Sequence, residues 1–328
     1  MVNEQIIWPT TATLTFKDRL DHFLTRWGYR RADHRVEPGL YSVGKPTPES
    51  PVFVTANYTL SFDALRSNLK GVDCYILVLD TKGINVWCAA GKGTFGTDEL
   101  MNRIKVTGLE NVVSHRKVIL PQLGAAGVSA YSVKEWCGWN VEYGPVRAED
   151  LPEYLKTRRA TDEMRRVHFG LWDRIQLIPV ELVSVFLVMI IAAIVLYFVM
   201  GLTASLAVLA SVLAGTVLFP VLMPFIPVRD FSVKGLILGL LVALPFAYVA
   251  FTKPGPEMWN AIAAAGYLLA MPPVTAFLAL NFTGSSTFTS RTGVRKEIYT
   301  YVMPGAILFG LGILAFIGLF AAHFLGVA

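Results

Sequence analysis

Cys74-Tyr-Ile-Leu-Val-Leu-Asp-Thr-Lys-Gly-Ile-Asn-Val-Trp-Cys-Ala-Ala-Gly-Lys-Gly-Thr-Phe-Gly-Thr97 is the stretch on which the reading of this chain turns. Its first six residues form an unbroken apolar run, the pattern of a strand buried on both faces. Asn85-Val-Trp-Cys-Ala-Ala90 follows closely and reads as a second strand. Thr97-Asp-Glu-Leu100 then opens a helix, with Thr97 as its N-cap and two acids in the first turn, where the helix dipole favours them. Working outward, Pro51–Ala56, Lys117–Leu120 and Asn140–Tyr143 read as further strands, and Ser61–Lys70 and Ala148–Leu155 as helices. Such alternation predicts an α/β domain with a mainly parallel sheet. Ligands of such sheets lie beyond the carboxyl ends of the strands. Residues 1–50 show one helix, Lys17–Trp27, and then a stretch rich in Gly, Pro and Ser.

The 328 residues divide sharply by polarity. Beyond Leu177 there are six basic residues (Arg229, Lys234, Lys253, Arg291, Arg295, Lys296) and four acidic ones (Glu181, Asp230, Glu257, Glu297), leaving 23 and 20 before it. A helix needs about 20 apolar residues to cross a bilayer. Five stretches qualify, near 179–200, 202–222, 233–251, 258–280 and 302–325. Prolines 220, 224 and 227 should end or kink the second, and Pro272-Pro273 should kink the fourth. With the N-terminal half inside, the inner loops hold Arg229, Lys234, Arg291, Arg295 and Lys296, and the outer loops only Lys253. Basic residues between Lys156 and Arg174 add to the same side. This positive-inside pattern predicts an inner-membrane protein with its N-terminal domain in the cytoplasm and its C-terminus outside. No basic region followed by a short apolar core opens the chain, in keeping with a cytoplasmic start. Only Glu181 and His323 are read as ionisable groups in or near the spans, which argues for an anchor over a transporter. The hydroxyl-rich loop Asn281–Ser290 is longer than a hairpin needs and is expected to fold against the soluble domain.

Three cysteines, Cys74, Cys88 and Cys137, give no disulfide framework and too few ligands for a 4Fe–4S cluster. Cys74 and Cys137 read as buried thiols. The net charge of +5 makes no case for nucleic acid, and the basic cluster beside the first span points to lipid instead.

Gly91-Lys-Gly-Thr-Phe-Gly96 formally fits G-x-G-x-x-G. The acid that fingerprint needs about 20 residues on is missing, because Glu110 comes too early. A phosphate-binding Gly-Lys-Ser/Thr fails as well, since Gly93 follows Lys92. The same glycines would let a backbone lie close against a flat ligand. Cys88, read at a strand end, would then aim a soft thiolate at a metal. No Asp-x-His-x-x-Gly occurs in the chain. On pattern alone, a nucleotide-binding membrane module and a buried, inert Cys88 both remain open.

The run Asn85-Val-Trp-Cys-Ala-Ala-Gly-Lys92 resembles the signature of the mercury-methylation corrinoid protein family. Three flanking segments, Val54–Asp63, His115–Gly124 and Val141–Arg147, are similar to the corrinoid domain of the corrinoid iron–sulfur protein large subunit of the acetyl-CoA pathway. Five spans after such a domain also fit the former family. The resemblance implies an α/β Rossmann-like corrinoid-binding domain followed by an all-α five-helix membrane domain. The implied division is an N-terminal extension at 1–50, a cytoplasmic corrinoid-binding domain at 51–155, a basic juxtamembrane linker at 156–177 and a membrane domain at 178–328.

The resemblance makes Cys88 the lower axial ligand of cobalt and the catalytic residue. It places Asn57, Tyr58, Asn85, Val86, Trp87, Ala89, Ala90, Gly91, Lys92 and Gly93 around the cofactor. It implies a corrinoid-dependent methyltransferase of anaerobic one-carbon metabolism. Cobalt(I) would take a methyl cation from methyl-folate or a methyl-donor protein, giving methylcobalt(III). Mercury(II) would accept the methyl group with its electron pair, forming methylmercury. Two electrons would then return from a ferredoxin-like 4Fe–4S partner. A corrinoid methyltransferase of the acetyl-CoA-pathway type, with another acceptor, is the alternative.

Overall fold

The computed structural model describes residues 6–30, 33–286 and 289–326. They fall into two compact units, the first made of the described residues up to Thr25 and of Tyr29–Val167, the second of Arg26–Gly28 and the residues from His168 on. The first unit runs β1 (Ile7–Thr10), α1 (Phe16–Arg26), β2 (Gly39–Val43), β3 (Val52–Ala56), α2 (Thr59–Ser67), β4 (Cys74–Leu79), α3 (Val86–Lys92), α4 (Thr97–Val106), β5 (Lys117–Leu120), α5 (Ala130–Cys137), β6 (Asn140–Tyr143) and α6 (Leu151–Thr157).

Six strands form one sheet in the order β1-β2-β4-β3-β5-β6. β4, β3, β5 and β6 are parallel, with Val54 opposite Leu77, Phe53 opposite Ile119 and Ile119 opposite Glu142. β2 runs antiparallel to β4 and carries β1 beside it. The apolar run at 74–79 behaves as its pattern predicts, since all six residues of β4 are buried. Alternate residues serve opposite faces. Val52, Val54, Tyr75, Leu77 and Leu79 join α3, α4 and α5 on one side, while Phe53, Cys74, Ile76 and Val78 join α2 and α6 on the other. Burying each such aliphatic side chain contributes about 1.5–3 kcal/mol, so β4 alone anchors both layers.

Two sequence expectations change. The first fifty residues are no mere extension, because β1, α1 and β2 belong to this unit and both strands enter the sheet. β2 is only five residues long and opens on Pro38-Gly39, which reads as a turn; pairing with β4 makes it a strand, and Leu40 opposite Leu77 is wholly buried. Second, Asn85–Ala90 is no strand but the start of a helix, for reasons given with the site below.

In the second unit, five helices among the described residues are long and apolar enough to cross a membrane: Leu171–Met200, Leu202–Phe225, Phe231–Phe251, Glu257–Gly284 and Thr292–Phe324. Gly235 and Gly239, one turn apart on the third, let it lie hard against the fourth. A Cβ at these positions would sit 2.6 Å from the Ala276 Cα and 2.7 Å from the Pro272 Cα. Small residues at this spacing allow such close approach between membrane helices. The fourth helix continues through Pro272-Pro273 without a break in its assignment. At the hydroxyl-rich loop, Phe282 and Thr283 are buried, Phe282 packing on Phe169 and Phe219; residues 287–288 lie outside the described ones.

The second helix changes pitch at Ala214–Leu218, a π-helical stretch before Pro220, and tightens to a 3₁₀ turn at Met223–Phe225. Pro224 and Pro227 have no N–H, so the carbonyls of Pro220 and Met223 lose their i+4 donors. Two buried cations replace them. Arg174 Nη1 donates to the carbonyls of Pro220 (2.8 Å) and Val221 (3.0 Å), and Lys234 Nζ donates to that of Met223. Glu297 is also buried, its Oε2 accepting from the amide and hydroxyl of Ser232. The sequence reading assigned Lys234 and Glu297 to loops, whereas both lie within the long apolar helices. A cavity of about 680 Å³ in this unit is lined almost wholly by apolar side chains, among them Val188, Met189, Met271 and Phe309.

Lys234→Met should therefore destabilise the detergent-solubilised protein by about 1.5–3 kcal/mol, the usual cost of losing a charged hydrogen bond to a buried acceptor. Thermal unfolding followed by intrinsic fluorescence checks this, with the exposed Lys253→Met expected to melt like the parent.

Candidate functional site

The parallel strands direct their carboxyl ends to one edge, and the order of the sheet creates a crevice there. From β3 the chain crosses to β4 on one side, then passes back over β3 to β5 on the other. That reversal between β3 and β5 is where open α/β sheets bind ligands. α3 packs against the end of β3 and against the 3₁₀ turn Gln122–Ala126 that follows β5, which sets it over this crevice.

The local sequence makes 86–92 helical. Asn85 is extended, and its Oδ1 accepts the Cys88 amide at 2.9 Å, the N-cap bond that satisfies an otherwise orphaned donor. Ala89 and Ala90 favour helix. Gly93 ends it with φ +83°, a left-handed turn that a side chain would resist, and its N–H reaches back to the Ala90 carbonyl at 3.3 Å. Gly91 sits inside the helix and Gly93 at its end, so the glycine run joins one helix to the next. A dinucleotide fingerprint needs a strand-to-helix turn at that place. The N-cap of α4 is Gly96, not Thr97, whose hydroxyl instead accepts the Ser129 amide at 2.9 Å.

The residues singled out from sequence separate into three groups. Val86, Ala89 and Ala90 are buried and pack into the core under α3. Trp87 and Cys88 are half-buried, while Gly91, Lys92 and Gly93 are exposed. Cys88, Gly91 and Lys92 stand three and four residues apart and share a face of the helix. Tyr58 is buried and begins α2.

Asn57 belongs to the interior. It is 2 % exposed, and its Oδ1 accepts from the Thr81 amide (3.1 Å), the Thr81 hydroxyl (2.9 Å) and the Gly83 amide (2.9 Å). Its side chain holds the loop between β4 and α3. Glu99 holds the same loop from α4, its Oε1 accepting the Asp80 amide at 2.8 Å and pairing with Arg103. Thr81 and Glu99 went unread in the sequence, because their partners lie 24 and 19 residues away and no spacing marks them.

The three cysteines, none in a disulfide, differ by location. Cys74 is fully buried in β4, and burial, with Asp73 beside it, pushes its thiol from 9.0 up to about 12. Cys137 is half-buried and donates to the Val133 carbonyl. Cys88 alone of the three lies on the crevice helix.

The residues present fit a flat ligand carrying a soft metal. A Cβ on Gly91 or Gly93 would meet nothing within 4 Å, so neither glycine is required by packing. Glycine inside a helix costs about 1 kcal/mol relative to alanine, yet here it leaves open surface next to Cys88. Beside it, the Thr94 hydroxyl is buried with no hydrogen-bond partner among the described residues. A thiolate is the soft donor such a metal takes.

Residues 27–155 match the family model of the CO dehydrogenase/acetyl-CoA synthase delta subunit. The chain is 36% identical over 128 residues to the gamma subunit of the acetyl-CoA decarbonylase/synthase complex of Methanopyrus kandleri, covering 38% of this chain and 27% of that one. It is 30% identical over 157 residues to the gamma subunit of Archaeoglobus fulgidus, covering 47% and 31%. It is 29% identical over 129 residues to the corrinoid/iron-sulfur protein large subunit of Moorella thermoacetica, covering 39% and 28%. The similarity to these subunits is confined to the first unit and the segment just after it. The chain spans between a quarter and a third of the length of these relatives. The family match takes in strands β2 to β6, leaves out β1, and stops short of the long apolar helices.

Two outcomes follow from the site. Asn57→Ala strips three donors of their acceptor and should cost about 2–3 kcal/mol, with amide exchange speeding up across 81–92 while β4 stays protected. Hydrogen-exchange mass spectrometry reads both effects. Iodoacetamide should modify Cys88 in the folded protein and spare Cys74. The folded state holds the Cys74 proton more tightly than the unfolded chain does. That contribution to stability is therefore full below pH 9.0 and lost as pH rises toward about 12.

Proposed function

We propose that the N-terminal domain binds a corrinoid at the carboxyl edge of its sheet, that Cys88 supplies a thiolate to the cobalt, and that the protein is a membrane-anchored methyltransferase acting on mercury(II). The observation that carries this reading is the pairing, on one face of α3, of the half-buried Cys88 with the open glycine surface at 91. When bound, the corrinoid supplies a cobalt centre that accepts a methyl group and passes it on.

The chain's own residues would do four things. Asn85, through its cap on the Cys88 amide, fixes the turn of helix that carries the thiol. Gly91 and Gly93 leave room for a ring to approach the backbone. The exposed Lys92 offers a donor to the amide oxygens at the rim of a corrin, and Trp87 flanks the thiol. Cys88 donates electron density strongly, and such a ligand favours departure of the methyl group with its electron pair. Mercury(II), a thiophilic acceptor of carbanion equivalents, matches that polarity.

Similarity to the large subunit of a corrinoid/iron-sulfur protein supports the corrinoid. Mercury as acceptor rests on the Asn85–Lys92 signature. The decarbonylase/synthase relatives favour a second reading, in which the acceptor is one of acetyl-CoA synthesis. Either reading calls for protein partners, a methyl donor and a ferredoxin-like 4Fe–4S reductant. Positive-inside charge would put the soluble domain in the cytoplasm.

The test is methyl transfer by the full-length chain loaded with a corrinoid, with reductant and methyl donor present, mercury(II) being compared with an acetyl-CoA synthase subunit as methyl acceptor. Methylmercury should form, and Cys88→Ala should lower its rate by at least about 100-fold, as loss of a metal's primary ligand would. Transfer to the second acceptor alone would replace mercury with the acetyl-CoA-type reading. Full methylmercury formation by Cys88→Ala would remove the thiolate role.

A further inference from the structure

Helix α1 presents its apolar side outward. Phe16, Leu20 and Phe23 recur at i, i+4 and i+7, a stripe along one side of the helix, and Trp27 follows in the turn just past its end. They are 81%, 45%, 56% and 40% exposed. A soluble domain ordinarily turns such a stripe toward its core. Here the polar side of the helix faces the protein. Asp18 pairs with Arg66 at 2.9 Å, His22 Nε2 meets Asp63 at 2.7 Å, and Asp21 meets His34 Nδ1 at 2.7 Å. Thr25, on the same side, is buried. Arg66 and Asp63 are themselves buried and joined at 2.6 Å, so the inward attachment is a closed ionic network rather than a loose surface contact.

Cations border the stripe. At 100° per residue, Lys17 falls on one margin, and Arg19 and Arg26 on the other. Lys17 and Arg19 are exposed. Apolar side chains flanked by cations suit a surface with hydrocarbon below and anionic headgroups above. The same chain carries five helices fit to cross a membrane, so this domain stays tethered where a bilayer is always within reach. An exposed stripe of three aromatic rings and a leucine would otherwise be an aggregation hazard.

We propose that α1 is an in-plane membrane helix, seating Phe16, Leu20, Phe23 and Trp27 in the surface of a bilayer containing anionic phospholipid. Its polar side, held to α2 through Arg66 and Asp63, makes the sheet follow the helix. The domain is thereby fixed at the membrane by a second attachment besides the chain that leads to the first span. This holds whether or not the cofactor reading of Cys88 is right.

The full chain, reconstituted in vesicles of phosphatidylethanolamine and phosphatidylglycerol, tests it. A bimane label is placed at Phe23→Cys in a chain also carrying Cys88→Ala and Cys137→Ala, the buried Cys74 being left in place. A second chain carries the label at Lys70→Cys. Nitroxide-bearing lipids should quench the label at 23 several-fold more than that at 70, and aqueous iodide should do the reverse. Lys17→Glu with Arg19→Glu should reduce the lipid quenching at 23. Equal iodide quenching at both sites would mean the stripe lies in water and would overturn the proposal. A label at 23 reached by neither quencher would mean a protein surface covers the stripe, and would overturn it as well.

Discussion

One carboxamide oxygen sets the geometry on which the candidate site depends. Asn57 leaves the end of β3 with its Oδ1 taking three donors from Thr81 and Gly83, in the loop that leaves β4. The group is buried, so each of those donors would be costly to strand. Two neighbouring strand ends are locked to each other there, two residues before the cap of α3. Glu99 fastens the same loop from the opposite side through the Asp80 amide. The position of Cys88 thus derives from rigid strands and a helix rather than from a free loop, which is what a metal-bearing site requires of its supporting residues.

The two units handle buried polarity in parallel ways. In the first, Arg66 collects two carboxylates and two backbone carbonyls, those of Thr11 and Thr13, and ties the segment before α1 to α2. In the second, Arg174 and Lys234 answer carbonyls that prolines have stripped of their donors. The polar groups sit where the backbone departs from regular geometry. Regular stretches, such as β4 or the third and fourth spans, rely on apolar contact and close backbone approach.

Much of this was legible in the chain. Continuous apolar runs identified β3, β4 and the five long helices because burial on both sides leaves no polar interruption. The helix at 16–26 was legible too, but not which way it would face, since its apolar stripe reads like an ordinary core-facing pattern. β1 and β2 were hidden because they are short and take their place by pairing, β2 with β4 and β1 with β2, a long-range effect. Asn85–Ala90 was misread for a local reason. Val86-Trp87-Cys88 favours a strand by type, while the cap at Asn85 and the stop at Gly93 decide for helix. The proposal for Cys88 rests on a signature that travels with its helix, so it does not depend on the secondary structure read for that stretch. Lys234 and Glu297 were missed as buried groups because only the assembled helices close over them.

The central claim, that Cys88 presents sulfur to a cobalt held over the crevice between β3 and β5, is met most directly by cobalt K-edge X-ray absorption on the full-length protein loaded with a corrinoid under anaerobic conditions. The account predicts a sulfur scatterer in the first coordination shell of cobalt, lost in Cys88→Ala and retained in Cys137→Ala. A first shell of nitrogen and oxygen alone in the unsubstituted protein, or a sulfur signal that survives Cys88→Ala, would contradict it.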